Sequence, residues 1–374
     1  MDFTFNEEQR QFADALGRWA ARDYGFEARR AIVDSPAGVS DAAWSALAEL
    51  GMTALPVPEA QGGFAGSALD MFVVMRELGR ALVVEPYFAT VLGAEFLKLG
   101  GGHGALLERV ATGGLKLACA LGERQSRHDM LDIVTTATRD GDGFVLDGEK
   151  KVVLHGAQAG VLVVSARGEG GISLFAVAAD APGVAISDYR TLDGQRAADI
   201  RFNQVRVPAG ALVGQAGRGG ELLDAALDYG AGLLCFEALG AMEALFDATL
   251  DYLKTRQQFG VPIGKFQALQ HRMADMVIHL EQARSMALLA AVKLGSNDAA
   301  ERRRCVSAAK YRVGQAAKFI GQQAVQLHGG MGVTDELPAS HYFKRLTFIE
   351  LTLGDADHHL ARFIAQPGFA AEAA

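Results

Sequence analysis

Near the C-terminus, the stretch FIELTLGDADHHL (residues 348–360) gathers Glu350, Asp355, Asp357, His358 and His359. Carboxylates and imidazoles at this density can bind a divalent metal, exchange protons, or charge a helix end. Zinc chelation from a helix needs two histidines on one face, at i and i+4. His358 and His359 are adjacent and point to different sides, so no metal is expected. Asp355 is placed to cap a following helix, with Asp357 in the first turn, where negative charge is favourable.

Two further stretches could carry chemistry. RQQFG, residues 256–260, closes a long helical pattern ahead of VPIGKFQALQ. An arginine, an aromatic ring and a glycine at a helix exit can grip a phosphate and stack a ring. They can equally make a charged C-cap with a hydrophobic residue tucked in. QLHGGMG, residues 326–332, offers Gly329 and Gly330. Such a pair can end a helix in αL geometry and admit a ligand to the backbone, or it can be a plain helix stop. His328, just before them, is expected to pack or to support its neighbours. Arg302-Arg303-Arg304 reads as a solvated helix face.

The elements that must position these residues follow from periodicity. Residues 1–115 read as a helical domain. Asn6 and Gln9 form a capping-box pattern ahead of Phe12, Leu16 and Trp19. Ser40 and Ser67 are candidate caps for two further helices. Residues 116–214 read as a β-domain of short β-branched runs, consistent with a sandwich or small barrel. Asp142-Gly143 and Asp147-Gly148 are apparent hairpin turns there. Residues 215–374 read as a helical bundle. Its first helix, 218–254, is apolar nearly all round and should be central. Phe266, Leu269, Met273, Met276, Val277 and Leu280 stripe the next helix. Val313, Ala316, Ile320, Ala324 and Leu327 stripe another.

A chain of 374 residues with net charge −8 fits several domains and argues against a nucleic-acid partner. Cys119, Cys235 and Cys305 are few and scattered, as expected of reduced thiols in the cytoplasm. The N-terminus has no signal-peptide pattern. The most apolar window, residues 229–246, contains Glu237 and Glu243, which argues for a buried helix and against a membrane span.

In this order, YLKTRQQFGVPIGKFQALQHR, QLHGGMG and GDADHHLAR resemble the acyl-CoA dehydrogenase family. They are most similar to the small, base-less subunit of its heteromeric pimeloyl-CoA dehydrogenase type. The resemblance covers essentially the whole chain. It implies an α+β multi-domain fold: an N-terminal helical domain, a middle antiparallel β-domain and a C-terminal four-helix bundle. In that family a glutamate takes the α-proton of an acyl-CoA thioester while the β-hydride moves to FAD. Electrons then leave for an electron-transfer flavoprotein or similar acceptor. The FAD is shared at a dimer interface. One chain grips its ADP half, and the other holds the isoalloxazine and supplies the base.

Carried onto this chain, the ADP-gripping half is present. Arg256 matches the pyrophosphate arginine, Phe259 the stacking aromatic and Gln267 the glutamine just beyond. Gln326, Gly329 and Gly330 match the second element. The isoalloxazine half is depleted. Gly122 stands for a Thr, His128 for a Ser, Val152 for a Trp, Leu154 for a hydroxyl residue and His155 for an Asn. The base position falls on Leu353, and the alternative position used by a smaller group falls on Gly230. Losing a positioned base typically costs ~10²–10⁴-fold in rate.

The resemblance therefore implies a small subunit, without a catalytic base, of a heteromeric FAD-dependent acyl-CoA dehydrogenase. Its partner is a large subunit, its substrate an acyl-CoA, with dicarboxylyl or bulky steroid-derived thioesters as the nearest analogies. One alternative is a homo-oligomeric dehydrogenase with a relocated carboxylate, for which Asp228, Glu237 and Glu350 are candidates. Another is a non-enzymatic structural homologue.

Overall fold

The computed structural model describes residues 5–366. The chain runs α1 (Glu7–Asp23), α2 (Phe26–Asp34), α3 (Asp41–Glu49), α4 (Ala68–Arg80), α5 (Tyr87–Gly100) and α6 (Gly104–Ala111). Strands follow: β1 (Leu117–Ala120), β2 (Thr136–Asp140), β3 (Gly143–Leu154), β4 (Val161–Gly168), β5 (Gly171–Ala178), β6 (Val184–Arg190), β7 (Arg196–Val207) and β8 (Leu212–Val213). Then come α7 (Gly219–Thr255), the short strands β9 (Gln257–Gln258) and β10 (Val261–Pro262), α8 (Gln267–Lys293), α9 (Ala299–His328), α10 (Pro338–Leu351) and α11 (Ala356–Ile364). Helices, then strands, then long helices is the order the periodicity predicts.

Local signals decide where several helices start. Asn6 Oδ1 accepts the Gln9 N–H at 2.8 Å and Gln9 Oε1 accepts the Asn6 N–H at 3.0 Å, completing the capping box. Ser40 accepts from Ala43 ahead of α3, and Asp355 accepts from His358 ahead of α11. Each cap satisfies an otherwise orphaned donor, typically worth ~1 kcal/mol.

Two compact units emerge. One takes in the chain up to Arg30, Ala68–Val83 and everything from Ala231 on. Its helices pack through small and apolar residues. On α8, Met273, Met276, Leu280, Ala283, Ala287 and Ala290 are buried at alternating spacings of three and four. On α9, Val313, Ala316, Ile320, Ala324 and Leu327 are buried, as their stripe predicts. Val277 and Phe266 are exceptions on the α8 stripe and face solvent. Where α4 crosses α7 the backbones nearly touch. A Cβ on Gly240 would lie 1.8 Å from the Arg76 carbonyl oxygen, so only glycine fits there.

The other unit, Ala31–Ser67 and Val84–Gly230, is built on the sheet. Its described strands follow one hydrogen-bonded path, β6-β7-β3-β2-β4-β5-β8, with β1 also pairing β4. Residues of β7 and β5 share one buried core, where Phe144 of β3 meets Phe175 of β5 edge-on at 5.1 Å. Most pairs are antiparallel, but β1–β4 and β2–β4 are parallel. β4 is buried through six successive residues, as expected of a strand covered on both faces.

Only one of the two Asp-Gly pairs lies at a turn. The β2–β3 hairpin turns just before Gly143, whereas Asp147-Gly148 lies inside β3 at a register shift against β7. Gly148 serves close approach there, since a Cβ would come 2.5 Å from Thr135 Oγ1. A second shift falls between Lys150 and Val153. An extra residue in one strand bends it and redirects a side chain.

Candidate functional site

In the helical unit, RQQFG does not form a C-cap with its phenylalanine tucked in. α7 stops at Thr255, and the Arg256 N–H donates to Tyr252 O at 2.8 Å. β9 and β10 then form a minimal hairpin with Gln258 opposite Val261. Phe259 and Gly260 make its tip, both with positive φ, 54° and 77°. A mirror-type two-residue turn requires this. It lifts the phenylalanine out of the protein, so Phe259 is 89% exposed and not tucked in. Its ring meets Phe266 edge-on at 6.0 Å. Arg256 and Gln267 are exposed as well. Holding a phenylalanine in the left-handed region costs ~1–2 kcal/mol.

At the end of α9, Gly329 has φ 61° and ψ −140°. This is not the αL cap expected of a helix stop, and its ψ lies outside the range other residues accept. A 3-10 turn, Gly329–Val333, follows directly. A Cβ on Gly329 or Gly330 would meet nothing within 4 Å, so both backbones face open space, and Gln326 is exposed beside them.

The ends of α7 and α9 are joined by two rings. Tyr252 stacks on His328 at 4.5 Å with 29° between planes, and the Tyr252 hydroxyl donates to His328 O at 3.4 Å. The His328 Nδ1–H donates to Ala324 O at 2.8 Å. Burial lowers the imidazole below its usual pKa, so it is neutral at neutral pH. All six residues expected to grip a nucleotide thus lie in this unit, on elements tied at Tyr252–His328. Sequence reasoning missed Tyr252, although it lies four residues before Arg256 on one helix face.

The β unit holds the other expected positions. Val152 lies in the second register shift of β3, with φ 53° and 52% exposure. Its N–H donates to Asp199 Oδ1 at 3.3 Å, and Lys151 and Tyr189 hold Asp199 in turn. Leu154 ends β3 opposite Ala197. His155 has φ 54°, is buried, and donates from Nε2 to Gln195 Oε1 at 2.8 Å. Gly122 accepts the Lys151 N–H, and His128 is half-buried. Val152 and Leu154 present neither an indole face nor a hydroxyl donor.

Behind them lies a buried ion pair. Lys150 Nζ donates to Glu123 Oε1 at 2.7 Å, Ser165 Oγ at 2.9 Å and Leu121 O at 3.1 Å. Glu123 also accepts from Gln125, Val134 and Thr135. Burial pushes Lys150 down to about 8 against the pull of Glu123. Burial also opposes the charge on Glu123, but bonds from Lys150, Gln125, Val134 and Thr135 outweigh it and hold the carboxyl at about 2.

Leu353 and Gly230 occupy the expected base positions, with Glu350, Asp228 and Glu237 as the carboxylates near them. Leu353 lies between α10 and α11 with φ 56°. Its loop is fixed by Lys310, whose Nζ donates to the carbonyls of Ile349, Glu350 and Gly354, each at 2.9 Å. The His359 Nε2–H donates to Leu353 O at 3.0 Å. Glu350 accepts the Ala356 N–H at 2.9 Å. Gly230 is buried within α7, and Asp228 is fully buried two residues earlier. Glu237 takes two bonds from Arg345, at 2.6 and 2.9 Å. Burial drives His359 well below its usual range, and its ring lies perpendicular to that of His358. Among the described residues no cluster of His, Cys, Asp or Glu could hold a metal ion.

Val152, His155, Phe259 and Leu353 are all among the few described non-glycine residues with positive φ. Such outliers persist where the surrounding structure over-determines them, and they cluster at functional sites.

Comparison with known proteins gives a consistent answer. Models of the acyl-CoA dehydrogenase N-terminal, middle and C-terminal domains match residues 6–101, 118–205 and 217–366. The mouse mitochondrial short-chain specific acyl-CoA dehydrogenase is 30% identical over 83% of this chain and 78% of its own length. Among solved structures, the ChsE4-ChsE5 complex from Mycobacterium tuberculosis is similar with 27% identity and a TM-score of 0.89, over 97% of each chain. A variant of the Tcur3481-Tcur3483 steroid ACAD is similar with 30% identity and a TM-score of 0.87, over 96% of each.

Proposed function

The chain belongs to the acyl-CoA dehydrogenase family, and from that premise we propose that it is the small subunit of a heteromeric FAD-dependent member, without a catalytic base of its own. The observation carrying this reading is the contrast between two half-sites. The outward grip of Arg256, Phe259, Gln267, Gln326, Gly329 and Gly330 fits an ADP moiety. Arg256 is free to meet the pyrophosphate, Phe259 offers a ring face, and the bare backbone at Gly329-Gly330 leaves room for close approach. Val152 and Leu154 do not fit the isoalloxazine, and Leu353 and Gly230 cannot take a proton.

FAD, when bound, supplies the hydride-accepting ring. In this reading the ring is completed by a large subunit, which also carries the base for α,β-dehydrogenation of an acyl-CoA. This chain contributes binding and orientation. A charge-assisted bond such as Arg256 to pyrophosphate contributes ~1.5–3 kcal/mol. The ChsE4-ChsE5 complex and the paired Tcur3481-Tcur3483 steroid ACAD support a two-chain assembly. The latter also favours a bulky steroid-derived thioester over a dicarboxylyl one. An electron-transfer flavoprotein or similar acceptor would take the electrons, in the cytoplasm.

The test is flavin per chain, by visible absorbance, in the protein purified alone. Near zero, rising when the large subunit is co-expressed, supports the reading. Near one flavin per chain overturns it in favour of a self-sufficient dehydrogenase. Asp228→Asn, Glu237→Gln and Glu350→Gln would then locate the base. An Arg256→Ala variant that leaves the flavin content of the native complex unchanged would favour a non-enzymatic homologue.

A further inference from the structure

We infer that Tyr252 and His328 form a stacked clasp that sets the spacing between the two nucleotide-gripping elements, making both of them positioning residues for the ADP moiety. The inference rests on the nucleotide reading above and extends it to residues that do not themselves meet the ligand.

The geometry is specific. Tyr252 lies in the last turn of α7, and Arg256 follows the helix end with its N–H bonded back to Tyr252 O. His328 is the last residue of α9, directly before Gly329. Helix ends fray, because their last carbonyls have no partner within the helix. Two frayed ends would leave Arg256 and the Gly329-Gly330 backbone at variable separation. The ring stack at 4.5 Å removes that freedom. Its orientation is fixed on the histidine side by the bond from Nδ1 to Ala324 O, one turn back. The Tyr252 hydroxyl bond to His328 O is long at 3.4 Å, so the ring faces carry the contact. His328 is buried, and its neighbour Gly329 faces open space. The clasp thus joins a buried His328 to a half-buried Tyr252, while the grip residues lie exposed.

The experiment is calorimetric titration of ADP into the full-length chain, with thermal unfolding measured for every variant. Tyr252→Leu and His328→Leu should each weaken ADP binding roughly two- to tenfold, the range for loss of a stacked aromatic pair. The double variant should be no weaker than either single one, because each substitution already opens the clasp. Tyr252→Phe, which keeps the ring, should retain wild-type affinity, a rescue that a general packing defect would not show. Arg256→Ala serves as the control for the nucleotide reading. If Arg256→Ala weakens ADP binding while both leucine variants bind as wild type, the clasp is wrong and the reading survives. If Arg256→Ala changes nothing, or the wild type takes up no ADP, the nucleotide reading itself fails and the clasp with it. Should a leucine variant unfold, Tyr252→Phe and His328→Phe decide. Both keep a ring stack, and an affinity loss in either as large as that of Arg256→Ala overturns the stacking account.

Discussion

The end of the helical unit near Arg256 and the wall of the sheet near Val152 are built on opposite plans. At the first, polar and aromatic groups face outward, and behind them His328 stacks on the half-buried Tyr252. At the second, Val152 and Leu154 stand at the expected ligand-facing positions, beside the partly exposed Lys151–Asp199 pair, and the Lys150–Glu123–Ser165 network lies buried. On the proposed reading, the first region presents side chains suited to a nucleotide. The other holds a strained backbone at Val152 and His155. The Asp199 bond to the Val152 N–H helps to hold that backbone in place.

The largest expected effect tests whether the wall's polar residues serve folding. Lys150→Met or Glu123→Gln breaks a buried pair and should destabilise the protein by ~3–5 kcal/mol in urea melts. Arg256→Ala, at an exposed site, should stay within ~0.5 kcal/mol of wild type. Equal effects would break the comparison.

Next comes the reverse experiment on binding. Arg256→Ala should reduce the FAD affinity of the native complex roughly ten- to hundredfold. Leu154→Ala should leave it unchanged, by the same titration.

Protonation sharpens the contrast further. Glu123 titrates at about 2 in the fold against 4.5 ordinarily. Its contribution is fully present above 4.5 and is lost as pH falls toward 2. Glu123→Gln should flatten that acid limb of the stability curve. Lys150 and Lys310 are both pushed down by burial to about 8 from 10.5. Between these values the unfolded chain binds more protons, so stability should rise with pH there. Lys310→Met should remove part of that rise.

The smallest effect concerns the hairpin tip. Phe259→Asn creates an Asn-Gly turn suited to positive φ and should stabilise the chain by roughly 0.5–1 kcal/mol. The same change should weaken ADP binding. A variant that gains stability at no cost in affinity would remove Phe259 from the grip.

What the sequence alone determined is short in range. Asn6 with Gln9, Ser40, and Asp355 ahead of His358 act within three residues, so their caps can be read from neighbouring letters. The stripes of α8 and α9 are legible because burial on a helix repeats every three or four residues. The family was legible as RQQFG and QLHGGMG in that order, and three domain models match the chain. Tertiary structure decided the rest. The same letters, RQQFG, could have capped a helix or turned a hairpin, and the pairing of Gln258 with Val261 settled it. Asp147-Gly148 reads as a turn until β7 fixes the register of β3. Lys150 finds Glu123 across 27 residues, and Tyr252 meets His328 across 76. Such contacts depend on where two distant segments come to rest. That is set by the packing of the whole chain, which no local pattern records.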